Sequence, residues 1–206
     1  MKKVIVTLLV IVAGLSVTAL DISAQTTSSK TRLQQDREKW QQEMEEFRAR
    51  SAERREINAL TDSIAGIQAA AAVQNKDFVL EADQVTFKSG ATVFVNSATN
   101  FISVKGNRAV VQISPSNFAA GPNGVGGVTV DGLISGMTNT VDKKGGRTIT
   151  FNVNGIGISA MIQIYMAAGT NNASATIYPN FNSNTVWIEG EIVPYESSDV
   201  FEGNSL

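Results

Sequence analysis

From Lys76 onward the sequence alternates with a period of two residues and is cut at short intervals by residue pairs that favour tight turns. Successive side chains on a strand point to opposite faces, and a two-residue loop joins only antiparallel neighbours. Phe78-Val79-Leu80 and Val85 to Lys88 lead through Ser89-Gly90 to Ala91–Val95. Phe101–Lys105 and Arg108–Ser114 flank Gly106-Asn107. Arg147–Val153 and Ile156–Met166 flank Asn154-Gly155, the strongest of the short hairpin signals. Gly169-Thr170-Asn171-Asn172 turns the chain into Ala173–Tyr178, and Asn182-Ser183-Asn184 turns it into Thr185–Val193. The pattern predicts a mainly β fold, an antiparallel meander of about nine strands closing into a barrel or strongly curved sheet behind an N-terminal α-helix. A two-sheet β-sandwich is the alternative. Along Ile156–Met166 one face reads Ile156, Ile158, Ala160, Ile162, Ile164, Met166, an apolar face that either interior requires. Short strands and an aromatic content of 7% argue against a transmembrane barrel with aromatic girdles.

Ahead of the strands the composition is different. Residues 25 to 30 are polar, with no reason to order, and Thr31–Glu56 is a dense run of mixed charge without Gly or Pro, suited to a solvated helix. Glu46 and Arg50 are spaced i,i+4 with the acid first, the better orientation. Leu33, Trp40 and Phe47 recur every seven residues beside Met44. Such a stripe fits a short coiled coil or partner-binding arm. Its break at Arg54 favours a surface helix instead. Ile57, Leu60, Ile64, Ile67 and Ala69–Ala72 give a second helical stretch a fuller apolar face, expected to pack on the β domain.

Lys2 and Lys3, the apolar run Val4–Leu20 and the exit Ile22-Ser23-Ala24 before Gln25 have the form of a cleavable export signal. At about 17 residues the run is short for a retained membrane anchor. The expected organisation is a signal peptide over 1–24, a polar linker and charged helical arm over 25–56, and one β domain with its leading helix over 57–206. A periplasmic or secreted location follows. There is no cysteine to carry a lipid, so a lipoprotein and an integral span after cleavage are not expected.

Composition restricts the chemistry. With neither cysteine nor histidine, the chain has no thiolate nucleophile, no imidazole base and no Ser-His triad. Metal or cofactor binding is not expected. Lys+Arg 17 against Asp+Glu 19 gives no basic excess for nucleic acid.

Several residues are candidates for binding. The stretch Ser114–Gly127 contains Pro115, Pro122 and the glycines Gly121, Gly124 and Gly126 around Asn123. Such a loop lets a ligand approach bare N–H groups. The glycines run into Val128-Thr129-Val130, a strand, rather than a phosphate-loop helix, so turn and bulge geometry explains them as well. Asn96, Asn100 and Asn123 are polar fingers for a barrel mouth, or turn residues tolerant of left-handed geometry. Glu81, Asp83, Asp131, Asp142, Glu189 and Glu191 are the acidic candidates for calcium or glycosidic acid/base work, against the commoner reading of solvated strand charges. Trp187, Tyr178 and Tyr195 fill core unless exposed together, when they suit carbohydrate or peptide stacking.

The blocks Asn75–Asp83, Val93–Ser97, Thr99–Ser103, Ala120–Gly127 with Val130-Asp131-Gly132, Gly155–Ala160, Asn180-Phe181 and Val193-Pro194 occur in order. Over roughly residues 70 to 206 they resemble an exported bacterial family of unknown function, domain of unknown function 4251. The resemblance implies export and a single domain, and brings no activity with it. The expected function is that of a non-enzymatic periplasmic binding module for a small apolar or amphipathic ligand, or a peptide, held in the β cleft. The alternatives are an envelope protein-interaction component using the charged helix, and a carboxylate-dependent hydrolase acting through Glu81 or Asp131.

Overall fold

The computed structural model describes residues 2–114, 127–155, 159–180 and 184–203, with side chains from residue 31 onward. The chain forms two units, Met1–Ile57 and Asn58–Leu206. One helix, α1 (Lys2–Asn75), runs through the N-terminal part without the expected division into two stretches, and residues 25 to 30 are helical too. No Gly or Pro interrupts residues 15 to 65, and Glu, Arg, Gln and Ala dominate residues 31 to 56. In the first unit Arg50 pairs with Glu46 at 3.0 Å and Lys39 with Glu43 at 3.9 Å, while Leu33, Trp40 and Phe47 are exposed. Among the residues whose side chains are described, no helix is long and apolar enough to cross a membrane.

In the second unit, only the alanine part of the face of α1 expected to pack does so. Ala69, Ala72 and Val73 enter the core, whereas Leu60, Ile64 and Ile67 are exposed, as is Ile57 in the first unit. The reason is space. Gly66 lies on the backbone of Gly169 and Thr170, where a Cβ would stand 2.9 Å from the Thr170 nitrogen. A helix this close to its neighbour admits only small side chains. It ends at Lys76, whose φ of 55° is left-handed and whose N–H donates to the Val73 carbonyl at 3.2 Å.

Nine strands follow: β1 (Asp77–Phe87), β2 (Thr92–Phe94), β3 (Phe101–Lys105), β4 (Arg108–Ile113), β5 (Val128–Val141), β6 (Arg147–Gly155), β7 (Ser159–Met166), β8 (Asn172–Pro179) and β9 (Val186–Pro194). Every pairing is antiparallel. β1 pairs with β3 through its first half and with β2 through its second, and its other edge pairs with β9 from Phe78 to Phe87. That last pairing closes β1 and β3–β9 into an eight-stranded barrel, with β2 as an extra strand. The fold is a barrel, not a sandwich.

Of the two glycine-asparagine turn pairs, one turns the chain as expected and one does not. Gly106, with φ 62°, makes the expected β3–β4 turn. Asn154-Gly155 instead lies at the end of β6, where Asn154 pairs with Ser159 and Gly155 with Gly132. β5 also runs well beyond Val130, bending at Gly136 (φ 64°) where its register with β6 shifts.

Alternate residues of the strands fill the barrel. Phe78, Leu80, Ile102, Phe151, Ile162, Ile164 and Ile188 are wholly buried in one cluster that includes Ala69, Ala72 and Val73 of α1. Of the apolar face read along Ile156–Met166, Ala160, Ile162, Ile164 and Met166 are in this cluster; Ile156 and Ile158 lie outside the described residues. A smaller cluster forms on the outer side, where Val79, Phe101 and Val110 are covered by Val193, Tyr195 and Val200. The segment after β9 therefore acts as a strap across β1, β3 and β4.

Candidate functional site

The closing seam of the barrel carries an irregularity. Between Ala82 and Gln84 the register of β1 against β9 shifts by one residue, leaving Asp83 without an opposite partner in β9. The Asp83 carbonyl instead accepts from the Val95 N–H at 2.9 Å. Gly190 makes the bulge sterically feasible, since a Cβ there would fall 1.8 Å from the Glu81 carbonyl oxygen. Over this point the outer surface is indented. A groove of about 440 Å³ is lined by Asp83, Gln84, Tyr165, Asn172, Ser174, Glu189 and the backbone of Gly190, among others.

Register explains the grouping. Tyr165 pairs with Ser174, Ser174 with Glu189, and Glu189 with Gln84, so one row crosses β7, β8, β9 and β1 on the outer face. Four strands at about 4.8 Å spacing make that row roughly 14 Å long. The next row holds Gln163, Thr176, Trp187 and Thr86, and the one beyond it Met161 and Tyr178. Tyr165 is 46% exposed, Trp187 41% and Tyr178 37%, so these aromatics stand on the surface instead of filling core. The Tyr165 ring lies over Gly146, where a Cβ would come 2.7 Å from its hydroxyl.

Other candidates read from the sequence have hydrogen-bond partners within the fold. The Asn96 Oδ1 accepts from the Ala98 N–H at 3.0 Å, capping the short 3₁₀ helix Ser97–Thr99. Asn100 is wholly buried; its Oδ1 accepts from the Ser114 N–H at 2.7 Å, and its Nδ2 donates to the carbonyls of Ser114 and Asn96. Its side chain ties the Asn96–Asn100 turn to the residue after β4. Asp131 receives two hydrogen bonds from Arg108, at 2.8 and 2.6 Å. Asp142 caps the β5–β6 turn through the N–H groups of Lys144 and Gly146. Glu81 accepts from the Ser198 hydroxyl and Glu191 from the Asn171 amide. Gly121, Asn123, Gly124 and Gly126 lie outside the described residues. Among the described residues no three Asp or Glu side chains are placed to hold a metal ion.

Of the acidic candidates, Asp83 and Glu189 meet in the groove. Glu81 and Asp83, spaced i,i+2, would share one face of a regular strand, but the register shift between Ala82 and Gln84 breaks that relation. Nothing local marks Gln84, Tyr165 or Ser174, and Asn172 reads only as a turn residue: the register of four strands brings them together.

The strap carries the resolved electrostatics. Arg108 is held above its ordinary pKa chiefly by the hydrogen bond to Asp131, with Glu202 at 3.6 Å adding to the effect, so it stays cationic. Burial, then Glu202, raises the Tyr195 phenol, whose hydroxyl donates to Glu202 at 3.3 Å. Because the folded value lies above the unfolded one, the neutral phenol favours the fold below pH of about 10. That contribution is lost as pH rises through the folded value. Unfolding midpoints should therefore fall above pH ~10, and Tyr195→Phe should flatten that part of the profile. An unchanged alkaline slope in the variant would remove Tyr195 as its source.

Comparison with known proteins agrees with this fold. The family described as domain of unknown function (DUF4251) matches residues 65–192. A crystal structure of a DUF4251 family protein from Bacteroides eggerthii is similar, with 45% identity and a TM-score of 0.61, covering 69% of this chain and 96% of that one. No curated protein matches. With more than half its length matched, this chain belongs to the DUF4251 family.

Proposed function

We propose that the chain is an exported, non-enzymatic binding module whose ligand is a neutral, hydroxyl-rich molecule, a glycan segment, seated in the outer groove over the β1 bulge. The sequence points to a small apolar or amphipathic ligand, or a peptide, in the β cleft; buried side chains of the main cluster occupy the barrel interior, which favours the outer groove as the place. The observation that carries the reading is the grouping of Asp83, Glu189, Gln84, Asn172 and Ser174 beside Tyr165 in one open groove. Carboxylates accept strong hydrogen bonds from ligand hydroxyls. Amides both donate and accept. Exposed Tyr165 and Trp187 offer flat apolar faces with a polar edge, suited to the C–H faces of a sugar ring. The named lining includes no Lys or Arg, and the two carboxylates disfavour an anionic ligand. A chain without imidazole or thiol suits holding better than turnover.

The test is isothermal titration of the chain with a panel of neutral oligosaccharides, alongside a fatty acid and an acidic oligosaccharide. Neutral saccharides should bind, and Tyr165→Ala and Glu189→Gln should each weaken binding at least tenfold while Glu196→Gln, away from the groove, does not. Binding of the fatty acid alone, binding indifferent to both groove substitutions, or no saccharide binding would each overturn the proposal. Steady hydrolysis of any bound saccharide would overturn its non-enzymatic part.

A further inference from the structure

The row of side chains that crosses the outer groove continues beyond the barrel. Gln84, which faces Glu189 on one side, pairs on its other side with Phe94 of β2. The neighbouring pair, Val85 and Val93, packs with the main cluster, so Gln84 and Phe94 point outward. Thr86 and Thr92, the pair after that, share the outer face too, with their hydroxyls 3.0 Å apart. One line therefore runs Tyr165, Ser174, Glu189, Gln84, Phe94 over β7, β8, β9, β1 and β2. It has an aromatic ring at each end and polar groups between. Five strands at about 4.8 Å spacing make it roughly 19 Å long, measured along the surface.

A single exposed Phe is ordinary on a protein surface. Phe94, 84% exposed, differs in how it is held. The bulge that indents the groove also anchors β2: the Asp83 carbonyl, out of register with β9, accepts from the N–H of Val95, the residue after Phe94. Val93 and Val95 on either side pack inward, which fixes Phe94 outward on a strand that takes no part in closing the barrel. Resting on the reading of the groove as a glycan site, we infer that Phe94 is a second sugar-binding platform. The ligand is then a linear, neutral glycan of several linked sugars lying across the strands. One ring stacks on Tyr165, hydroxyls of the middle sugars meet Ser174, Glu189 and Gln84, and a further ring stacks on Phe94. A disaccharide seated on Tyr165 and Glu189 is too short to reach Phe94, so Phe94 selects for chain length.

The experiment is isothermal titration of the chain with the disaccharide and hexasaccharide of two neutral linear series, the β-1,4- and α-1,4-linked glucans. In a series that binds, the hexasaccharide should bind roughly tenfold tighter than the disaccharide. Phe94→Ala should abolish that gain, weakening the hexasaccharide to the same extent and leaving the disaccharide within about twofold. Phe94→Trp should keep the gain; Phe94→Leu, apolar but without a ring, should not. Tyr165→Ala should weaken both lengths. Because Phe94 is exposed, its three substitutions should leave the thermal midpoint unchanged. Equal affinity for both lengths in the parent would overturn the second platform and leave the groove standing. So would a gain that survives Phe94→Ala or Phe94→Leu, or equal losses for the two lengths in Phe94→Ala. Failure of both series to bind would overturn the groove and the platform together.

Discussion

Placing a methyl group at residue 190 is expected to force open the seam that closes the barrel. A Cβ on Gly190 would stand 1.8 Å from the Glu81 carbonyl oxygen, 2.8 Å from its carbonyl carbon and 2.9 Å from the Ala82 Cα. All three are backbone atoms of β1, and no rotamer change relieves them. Either the β1–β9 register moves away from the bulge at Asp83, or the two strands separate. In both cases the groove, which Gly190 helps to line, loses its shape. Gly190→Ala should therefore cost about 4 kcal/mol or more, the range reserved for severe core lesions. For a domain of this size that corresponds to a midpoint lower by roughly 8–16 °C. Gly90→Ala is the control: Gly90 has φ 83° but nothing within 4 Å of a Cβ, so only local backbone strain, about 1–2 kcal/mol, is at stake. Scanning calorimetry of both variants decides the matter. A Gly190→Ala chain as stable as Gly90→Ala would mean that the seam tolerates a side chain and that the bulge does not depend on glycine.

The second large effect is expected at Gln112, a wholly buried amide on β4. Its Nε2 donates to the carbonyls of Thr99 and Phe201 at 3.0 and 2.9 Å, and its Oε1 accepts from the Gly203 N–H at 2.8 Å and the Thr129 hydroxyl at 3.3 Å. One side chain thus ties the C-terminal strap to β4, β5 and the short 3₁₀ helix. Gln112→Leu removes all four bonds and takes this partner from two carbonyls and one N–H. The expected loss is about 2–4 kcal/mol, at roughly 1–3 kcal/mol for each buried group left unpaired, with some rehydrating as the strap lifts. Gln112→Glu keeps the acceptor but turns a donor into a carboxylate oxygen facing two carbonyls, so it should be no better. Limited proteolysis reports the strap directly: cleavage between Tyr195 and Gly203 should accelerate in both variants before the barrel unfolds. Equal protease resistance in variant and parent would show that the apolar contacts of Val79, Phe101 and Val110 hold the strap unaided.

Much of the barrel was legible before any coordinates, and particular residues show why. Gly106-Asn107 turns where expected because its geometry is local: two residues set the loop, and one has the left-handed φ. Asn154-Gly155 misleads for the complementary reason. A hairpin-forming pair is still taken into a strand when β5 on one side pairs with both of its residues and β7 on the other pairs with the first. α1 was legible as a helix but not in its orientation, since it carries apolar residues on two faces and sequence periodicity cannot rank them. The groove was half visible. Asp83 and Glu189 were acidic candidates, yet their meeting depends on a register shift that no composition announces.

Period-two alternation and the turn pairs determined a mainly antiparallel β fold, and composition determined a chain without imidazole or thiol. These are properties of short stretches of backbone or of composition, and they need no distant partner. The tertiary structure alone decided which strands meet at the seam, which side of α1 lies against the barrel and where the outer surface is indented. Those outcomes rest on space between residues far apart in the chain. Gly66 lets the helix approach the turn at Gly169-Thr170, and Gly190 lets β9 approach a bulged β1. Close approach at two glycines is a fact of packing, and it becomes visible only once both neighbours are in place.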